Sequence, residues 1–520
     1  MQMGVWMKKN TGFTNVSGNG DRENGTLPVK CSAIFLFALV CAILFFISAV
    51  LYTGAELAVK YYGKISLHQL FFHLSIPLDQ VKHTEFFGKA LSAVWMCAAV
   101  TAVFFVAMYC VLYPVRNKRC FKSVKQGMLV LSVVVFLASA AFVNEYIPLD
   151  DWYMIFARSS LIEENFTAVP PEKVHFPEKR NVILIIAESL EDSFSNSDDV
   201  GVDLIPQLSR LKRENLSFGG RVQCDGSGWT VAALTNIFYG MPHLSLHGQF
   251  YAQDKNRHKW KIVSIWDYFL HHGYNCEYIQ GGHISFSGKD RLFASLPQVK
   301  VTAFEQLSQD EVYKRNTMPF SWGVDDEVMF RSLRAECARM ADARQPFFIA
   351  ALTLDTHEPM GYLPPDKEGN HNKIGGERFQ LALKRLDDRC AAFVEWVRSQ
   401  EFGKDTVVII VGDHLNMVNQ LGERWKSYGT SPDAMKKRSA YNCFIGLAKS
   451  GSLPERPWAT FDLMPTVLHA AGARWEGDRM NLGVSLFGTT PTLMEKYGVK
   501  YCDREFLKRS DKYMELVEIR

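Results

Sequence analysis

Asn181-Val182-Ile183-Leu184-Ile185-Ile186-Ala187-Glu188 opens on an asparagine, runs through aliphatic residues rich in β-branched types, and stops on an acid. A run this short and this apolar reads as a strand covered on both faces. The run Val407-Val408-Ile409-Ile410-Val411-Gly412 repeats the pattern and stops on Asp413-His414. Working outward, further strands are expected at Leu216–Gln223, Cys276–Ile279, Pro346–Thr353 and Asn442–Leu447. Helical periodicities fall at Leu204–Glu214, Thr230–Tyr239, Ile262–His272, Asp325–Met340, Arg378–Val397 and Thr460–Ala471. Short apolar runs alternating with longer helices define an α/β fold, a sheet sandwiched by helices. Because the carboxyl ends of parallel strands share one edge, Glu188 and Asp413-His414 can converge although they are far apart in the chain.

Cys224-Asp225-Gly226-Ser227-Gly228-Trp229-Thr230 supplies the third element of a candidate site. The glycines end a strand and open a helix at Thr230, where free backbone N–H groups and the helix dipole favour an anion such as a phosphate. A threonine hydroxyl is a poor nucleophile until something lowers its pKa, and acidic and imidazole side chains holding a divalent cation would do so. Thr230 is preferred over Ser227 as nucleophile because it falls in the first helical turn, whereas Ser227 lies between two glycines.

With 520 residues, 48% hydrophobic and 13% aromatic, the chain exceeds one ordinary domain and has apolar content for a large core plus membrane segments. A formal net charge of +3 and the lack of a Lys/Arg-rich block interleaved with aromatics in the polar two thirds of the sequence argue against nucleic acid as a partner. The first apolar stretch begins near Cys31, so no cleavable signal peptide is expected. Ser32–Tyr52, Ala90–Tyr113 and Met128–Tyr146 are each about long enough to span a bilayer core. Lys8, Lys9, Arg22 and Lys30 precede the first span, and Arg116, Lys118, Arg119, Lys122 and Lys125 crowd the connection between the second and third. Both flanks are therefore expected in the cytoplasm, and everything after the third span outside it.

The resulting division is a cytoplasmic segment (1–30), a membrane domain of three transmembrane helices (31–147), an interfacial helix and linker (148–180), an extracytoplasmic catalytic domain (181–490) and a C-terminal tail packing on or extending from it (491–520). In the interfacial segment, Trp152 is the expected aromatic anchor. Cys224, Cys276, Cys337, Cys390, Cys443 and Cys502 lie in the extracytoplasmic portion, an even number in a compartment that permits disulfides; no pair has the close spacing of a zinc site, and the sequence leaves any disulfide connectivity open.

Six motifs occur in an order that resembles the lipoteichoic acid synthase and phosphoglycerol transferase group of the alkaline phosphatase/sulfatase superfamily. They are Glu188 within NVILIIAESLE, Thr230 within DGSGWTVAALTNIFYGMPH, the stretch YIQGGHISFSGKDRLF, Trp322-Gly323 with Asp325, TLDTHEP, and VVIIVGDHLNM. The segment FDLMPTVLHAAG looks like a helix that closes many members of the superfamily. The resemblance covers roughly residues 181 to 488, and GSGWT, GGHISFSGKD and DTHEP look closest to the periplasmic glucan phosphoglycerol transferases.

That resemblance implies an alkaline-phosphatase-like (sulfatase-like) fold in which Glu188, Thr230, Asp413 and His414 hold one divalent metal ion, Mn2+ or Zn2+. Two carboxylates, an imidazole and an alkoxide suit a borderline metal and would bring Thr230 toward its reactive form. It further implies that Lys289 contacts the donor phosphate and that His357 lies at the substrate. The group's histidine in the segment that carries Lys289 aligns with Gln280; His283 and Trp229 complete the expected substrate-binding set.

The expected activity is transfer of a phosphoglycerol group from an anionic phospholipid, phosphatidylglycerol, to an envelope glycan through a phospho-threonine. The enzyme would be multi-pass in the inner (plasma) membrane with its catalytic domain in the periplasm. Two alternatives stand beside it: phosphoethanolamine transfer to lipid A or a polysaccharide, and a non-catalytic envelope regulator. A sulfatase activity is disfavoured, since a Cys or Ser followed by x-Pro-x-Arg is absent around Thr230.

Overall fold

The computed structural model describes residues 31–76, 85–195, 202–247, 261–311, 323–357, 361–363, 376–417, 438–448, 451–453 and 455–517. The expected cytoplasmic segment 1–30 lies outside these, as do Trp322 and Glu358 of the quoted motifs.

The first ten strands in chain order are β1 (Asn181–Ala187), β2 (Leu216–Phe218), β3 (Arg221–Val222), β4 (Asn275–Gln280), β5 (Lys300–Thr302), β6 (Phe347–Leu352), β7 (Thr406–Gly412), β8 (Asn442–Ile445), β9 (Gly451–Leu453) and β10 (Trp458–Ala459). Eight of them form one sheet in the order β5-β4-β6-β1-β7-β8-β2-β9. The block from β5 to β7 is parallel, while β8 runs antiparallel to both β7 and β2.

β1 sits in the parallel block with β6 on one side and β7 on the other, and its side chains alternate between two cores. Val182, Leu184 and Ile186 join Leu234 and Phe238 of helix Thr230–Tyr239, Trp266 of helix Ile265–His271 and Val467 of helix Leu463–Ala470. Ile183, Ile185 and Ala187 join Leu208 of helix Pro206–Glu214, Leu333 of helix Asp326–Asp342 and Leu386 of helix Gly376–Ser399. Burial on both faces explains why β1 and β7 read as unbroken apolar runs.

The expected strand Leu216–Gln223 is two strands. Gly219-Gly220 breaks it: Gly220 has φ 83°, and a Cβ there would meet Arg456 O at 2.3 Å. β2 stays in the main sheet, and β3 pairs with β10 beside it.

Register fixes the site. Ala187 pairs with Gly412, so Glu188 and Asp413 leave neighbouring strands side by side at the carboxyl edge. Close approach requires glycine at position 412, where a Cβ would fall 1.9 Å from Leu190 O. Gly412→Ala is therefore expected to destabilise the full chain by about 1–3 kcal/mol, as overpacking does. The check is a lowered unfolding midpoint in detergent; an unchanged midpoint would show that the backbone yields there.

The described residues divide into two compact units. One combines those of Met1–Ala49 and Trp95–Leu137, the other those of Val50–Val94 and Ala138–Arg520. Three helices, Cys31–Tyr62, Phe87–Val115 and Phe121–Tyr146, are long and apolar enough to cross a membrane. The first continues ten residues beyond the expected end at Tyr52, since polar residues such as Glu56 end an apolar span without ending a helix. Within the first unit, Phe45 stacks on Phe104 at 4.3 Å.

In the second unit, the chain after the third span forms a 3-10 helix, Leu149–Phe156, on which Trp152, Tyr153 and Phe156 are exposed. The C-terminal helices Val499–Leu507 and Asp511–Val517 bury Cys502, Phe506, Tyr513 and Leu516 in the larger core. The six cysteines after the third span are buried free thiols.

Candidate active site

Three strand ends and one helix start build the site. Glu188 follows β1, and its backbone is clamped from the β6 side. Its N–H donates to Thr353 Oγ1 at 2.9 Å, and its carbonyl accepts from Thr356 Oγ1 at 2.6 Å. Ser189, next along, adopts φ 54° and donates its hydroxyl to Glu188 Oε1 at 2.9 Å. A non-glycine residue held in the left-handed region marks a turn over-determined by its surroundings.

Asp413 follows β7, and its Oδ1 accepts from Ser189 N and His414 N, each at 2.8 Å. His414 donates Nδ1–H to Leu415 O at 2.9 Å, which turns its Nε2 toward the carboxylates. That Nε2 lies 3.5 Å from Glu188 Oε1 and 3.3 Å from Asp413 Oδ2.

Thr230 is the first residue of its helix and is half-buried; Trp229 is the N-cap and makes no side-chain capping bond. Thr230 Oγ1 donates to Glu188 Oε2 at 3.2 Å. The expected nucleophile and the expected carboxylate thus meet, across 42 residues of chain.

Ligand atoms of Glu188, Asp413 and His414 all lie within 4.8 Å of one another, and all three residues are buried. Asp413 Oδ2 is buried and has no hydrogen-bond donor among the described residues. Two buried carboxylates and an imidazole nitrogen this close call for positive charge among them, carried by a proton on Nε2 or by a metal ion. Burial, then the charge of Glu188, pushes Asp413 up to about 7. Burial pushes Glu188 up as well, but His357, His414 and the hydroxyls of Ser189 and Thr230 outweigh it and hold its pKa below the ordinary range. The donor set, two carboxylates and an imidazole with a hydroxyl beside them, fits one divalent ion of borderline softness.

The remaining candidates take different positions. Lys289 lies on the irregular turn Phe286–Leu292, where Ser287 and Gly288 both have positive φ. It is buried, and burial lowers its pKa to about 8 against the opposing pull of Glu188 and Asp290. Lys289 is therefore a buried cation within electrostatic reach of the Glu188 carboxylate. His357 acts on Glu188 too, from the turn after β6. That turn is held by Asp355, whose carboxylate takes Arg389 Nη1 at 3.1 Å and Asp326 N at 3.1 Å.

Gln280 ends β4 fully committed to internal bonds: Tyr278 OH donates to its Oε1 at 3.0 Å and its Nε2 donates to Gly282 O at 3.0 Å. His283 pairs with Glu305 at 3.1 Å on the surface, its side chain half exposed. Trp229 is buried, with no acceptor for its indole N–H among the described residues.

Sequence reading missed Arg221. Buried on β3, it donates to Gly412 O at 2.7 Å, to Asp413 O at 3.0 Å and to Thr460 Oγ1 at 3.1 Å. It pins the backbone that carries Asp413, and burial brings its pKa down to about 10. An arginine before a valine carries no pattern that would have marked it.

A largely parallel sheet with helices on both faces and this cluster on its carboxyl edge is alkaline-phosphatase-like. The family model that matches is that of the sulfatases, over residues 180–473, and the chain belongs to that family. A curated relative, phosphoglycerol transferase I of Xanthomonas euvesicatoria pv. vesicatoria (strain 85-10), is 29% identical over 284 residues, which are 54% of this chain and 38% of the relative. The chain thus spans well under half the length of that relative. Among solved structures, an alkaline phosphatase superfamily protein from Vibrio parahaemolyticus matches with a TM-score of 0.49 and 19% identity, covering 65% of this chain and 79% of that one. The lipoteichoic acid synthase LtaP from Listeria monocytogenes matches with a TM-score of 0.46 and 17% identity, covering 64% and 79%.

Proposed function

We propose that the chain is a membrane-anchored phosphoglycerol transferase working by double displacement, with Thr230 as nucleophile. The observation that carries this reading is the bond from Thr230 Oγ1 to Glu188 Oε2, made at a helix N-terminus beside Asp413 and His414. A relative named phosphoglycerol transferase I supports the class of group transferred.

Thr230 Oγ1 attacks the phosphorus of an anionic phospholipid and gives up its hydroxyl proton, the bond from phosphorus to the diacylglycerol oxygen breaks, and that oxygen leaves taking up one proton, so that no net proton is gained or lost. A hydroxyl of an envelope glycan then attacks the glycerophospho-threonine, and the bond to Thr230 Oγ1 breaks to regenerate the enzyme. Lys289, with the first-turn amides of helix Thr230–Tyr239, binds the phosphate oxygens in both steps. His357 orients the headgroup. Glu188, Thr230, Asp413 and His414 would hold one Mn2+ or Zn2+, which lowers the pKa of the threonine hydroxyl and screens the phosphate charge.

The three helices able to span a bilayer support a site held at a membrane surface, where a donor that never leaves the bilayer can reach it. The excess of basic residues around 116–125 supports a periplasmic catalytic domain on the inner membrane. The headgroup follows from chemistry: glycerol is neutral and needs hydrogen-bonding partners, whereas ethanolamine carries a cation that favours carboxylates or an aromatic face. Ser285, Ser287, Lys289 and His357, set against Asp290, Asp355 and Glu358, give a modest bias toward the former.

Purified full chain in detergent should release diacylglycerol from phosphatidylglycerol faster than from phosphatidylethanolamine at equal surface concentration, and Lys289→Ala should slow that release about 100-fold, the scale of one lost transition-state contact. Faster release from phosphatidylethanolamine would reverse the headgroup assignment.

A further inference from the structure

The described part of the connection between the first two spanning helices, residues 63–76, belongs to the unit that holds the sheet. After Gly63, at φ 64°, the chain forms the nine-residue helix Leu67–Ser75, capped by Ser66, whose hydroxyl accepts Gln69 N–H at 3.2 Å. This helix belongs to the same compact unit as the sheet.

Its buried edge is specific. His68 Nδ1 accepts from Leu246 N at 3.2 Å, which leaves Nε2–H to donate to Phe506 O at 3.0 Å. One turn on, the Phe72 ring lies 5.3 Å from that of Trp229 and 5.5 Å from that of His243. Gln69 Nε2 donates to Met417 Sδ at 3.5 Å, and a Cβ on Gly63 would fall 2.0 Å from Met417 O. Trp229 directly precedes Thr230, and Met417 follows His414 by three residues. The helix therefore touches both chain segments that carry the site.

Its other edge is exposed among the described residues. Phe71 is 44% exposed and Leu74 72% exposed, on a helix flanked in the chain by two helices apolar enough to cross a bilayer. Large apolar side chains displayed there match the acyl chains and glycerol backbone of a phospholipid better than they match water.

We infer that helix Leu67–Ser75 guides the donor lipid: its buried edge, through Phe72 and Trp229, positions Thr230, while Phe71 and Leu74 bear on the acyl part of the lipid whose headgroup reaches Thr230. The inference rests on the reading that the donor is a phospholipid. It makes Phe72 a positioning residue and makes Phe71 and Leu74 determinants of selectivity for lipid-borne over soluble donors.

The test compares two donors with one headgroup, long-chain phosphatidylglycerol in mixed micelles and dihexanoyl phosphatidylglycerol below its critical micelle concentration, on the purified full chain. Leu74→Asp and Phe71→Asp should each lower the ratio of kcat/KM for the long-chain donor to that for the short-chain donor about tenfold. Phe72→Ala should lower kcat on both donors about tenfold without altering that ratio, and Phe72→Leu should recover most of the loss. Thermal unfolding of each variant identifies any that has lost its fold. An unchanged ratio in folded Leu74→Asp and Phe71→Asp would overturn the guide alone, as would full activity in Phe72→Ala. A wild-type chain inactive on both donors would instead overturn the transferase reading, and the guide with it.

Discussion

Thr230→Ala is expected to lower phosphoglycerol transfer by ~10^4-fold or more while leaving the fold intact, because it removes the attacking atom itself. The substitution deletes one hydrogen bond, to Glu188, and opens no large cavity, so unfolding should shift little. The competing nucleophile in the same turn is Ser227. Its hydroxyl is buried and donates to Cys224 O at 2.6 Å, an inward commitment that holds the turn in shape. Mass spectrometry of peptides from enzyme trapped with donor and no acceptor should place the glycerophosphoryl adduct on Thr230. An adduct on Ser227 would reassign the chemistry to a residue that must first leave its present bond.

Asp413→Ala is expected to lower bound divalent metal and activity together, with metal affinity falling ~100-fold or more, since the loss of even an outer-shell partner commonly costs 10–100-fold. Elemental analysis of the purified full chain reads the first quantity without reference to catalysis, and thermal unfolding with and without added Mn2+ or Zn2+ reads it again through linkage. Full metal content in Asp413→Ala would remove this aspartate from the site. His414→Ala and Glu188→Ala should follow the same course, with Glu188→Ala also freeing the Thr230 hydroxyl from its acceptor.

Much of this was legible in the sequence because the elements near the site carry strong local signals. β1 and helix Thr230–Tyr239 have the limits that their patterns predict, one set by an apolar run ending on an acid, the other by glycines before a long apolar helix. Glu188, Asp413 and His414 could be singled out because a polar residue ending a doubly buried strand has few structural reasons to be there. β5 and β9 were not legible, being three residues long and dependent on pairing with distant neighbours. The reversed direction of β8 also lies in tertiary packing, not in its own residues. Arg221 and Phe72 were invisible for a different reason: each matters through partners far away, the arginine through carbonyls of Gly412 and Asp413, the phenylalanine through the Trp229 ring.

The place of β1 in the sheet has a consequence for how the protein is made. β1 is synthesised early in its domain, yet its partner Thr406 is 225 residues downstream of Asn181. Contacts of such long range form late and slowly, because loop closure must precede any gain from pairing. Until β7 emerges, a strand aliphatic on both faces has one of its edges and parts of both faces uncovered. Exposed apolar surface and an unpaired strand edge of this kind are an aggregation hazard while the chain is being made.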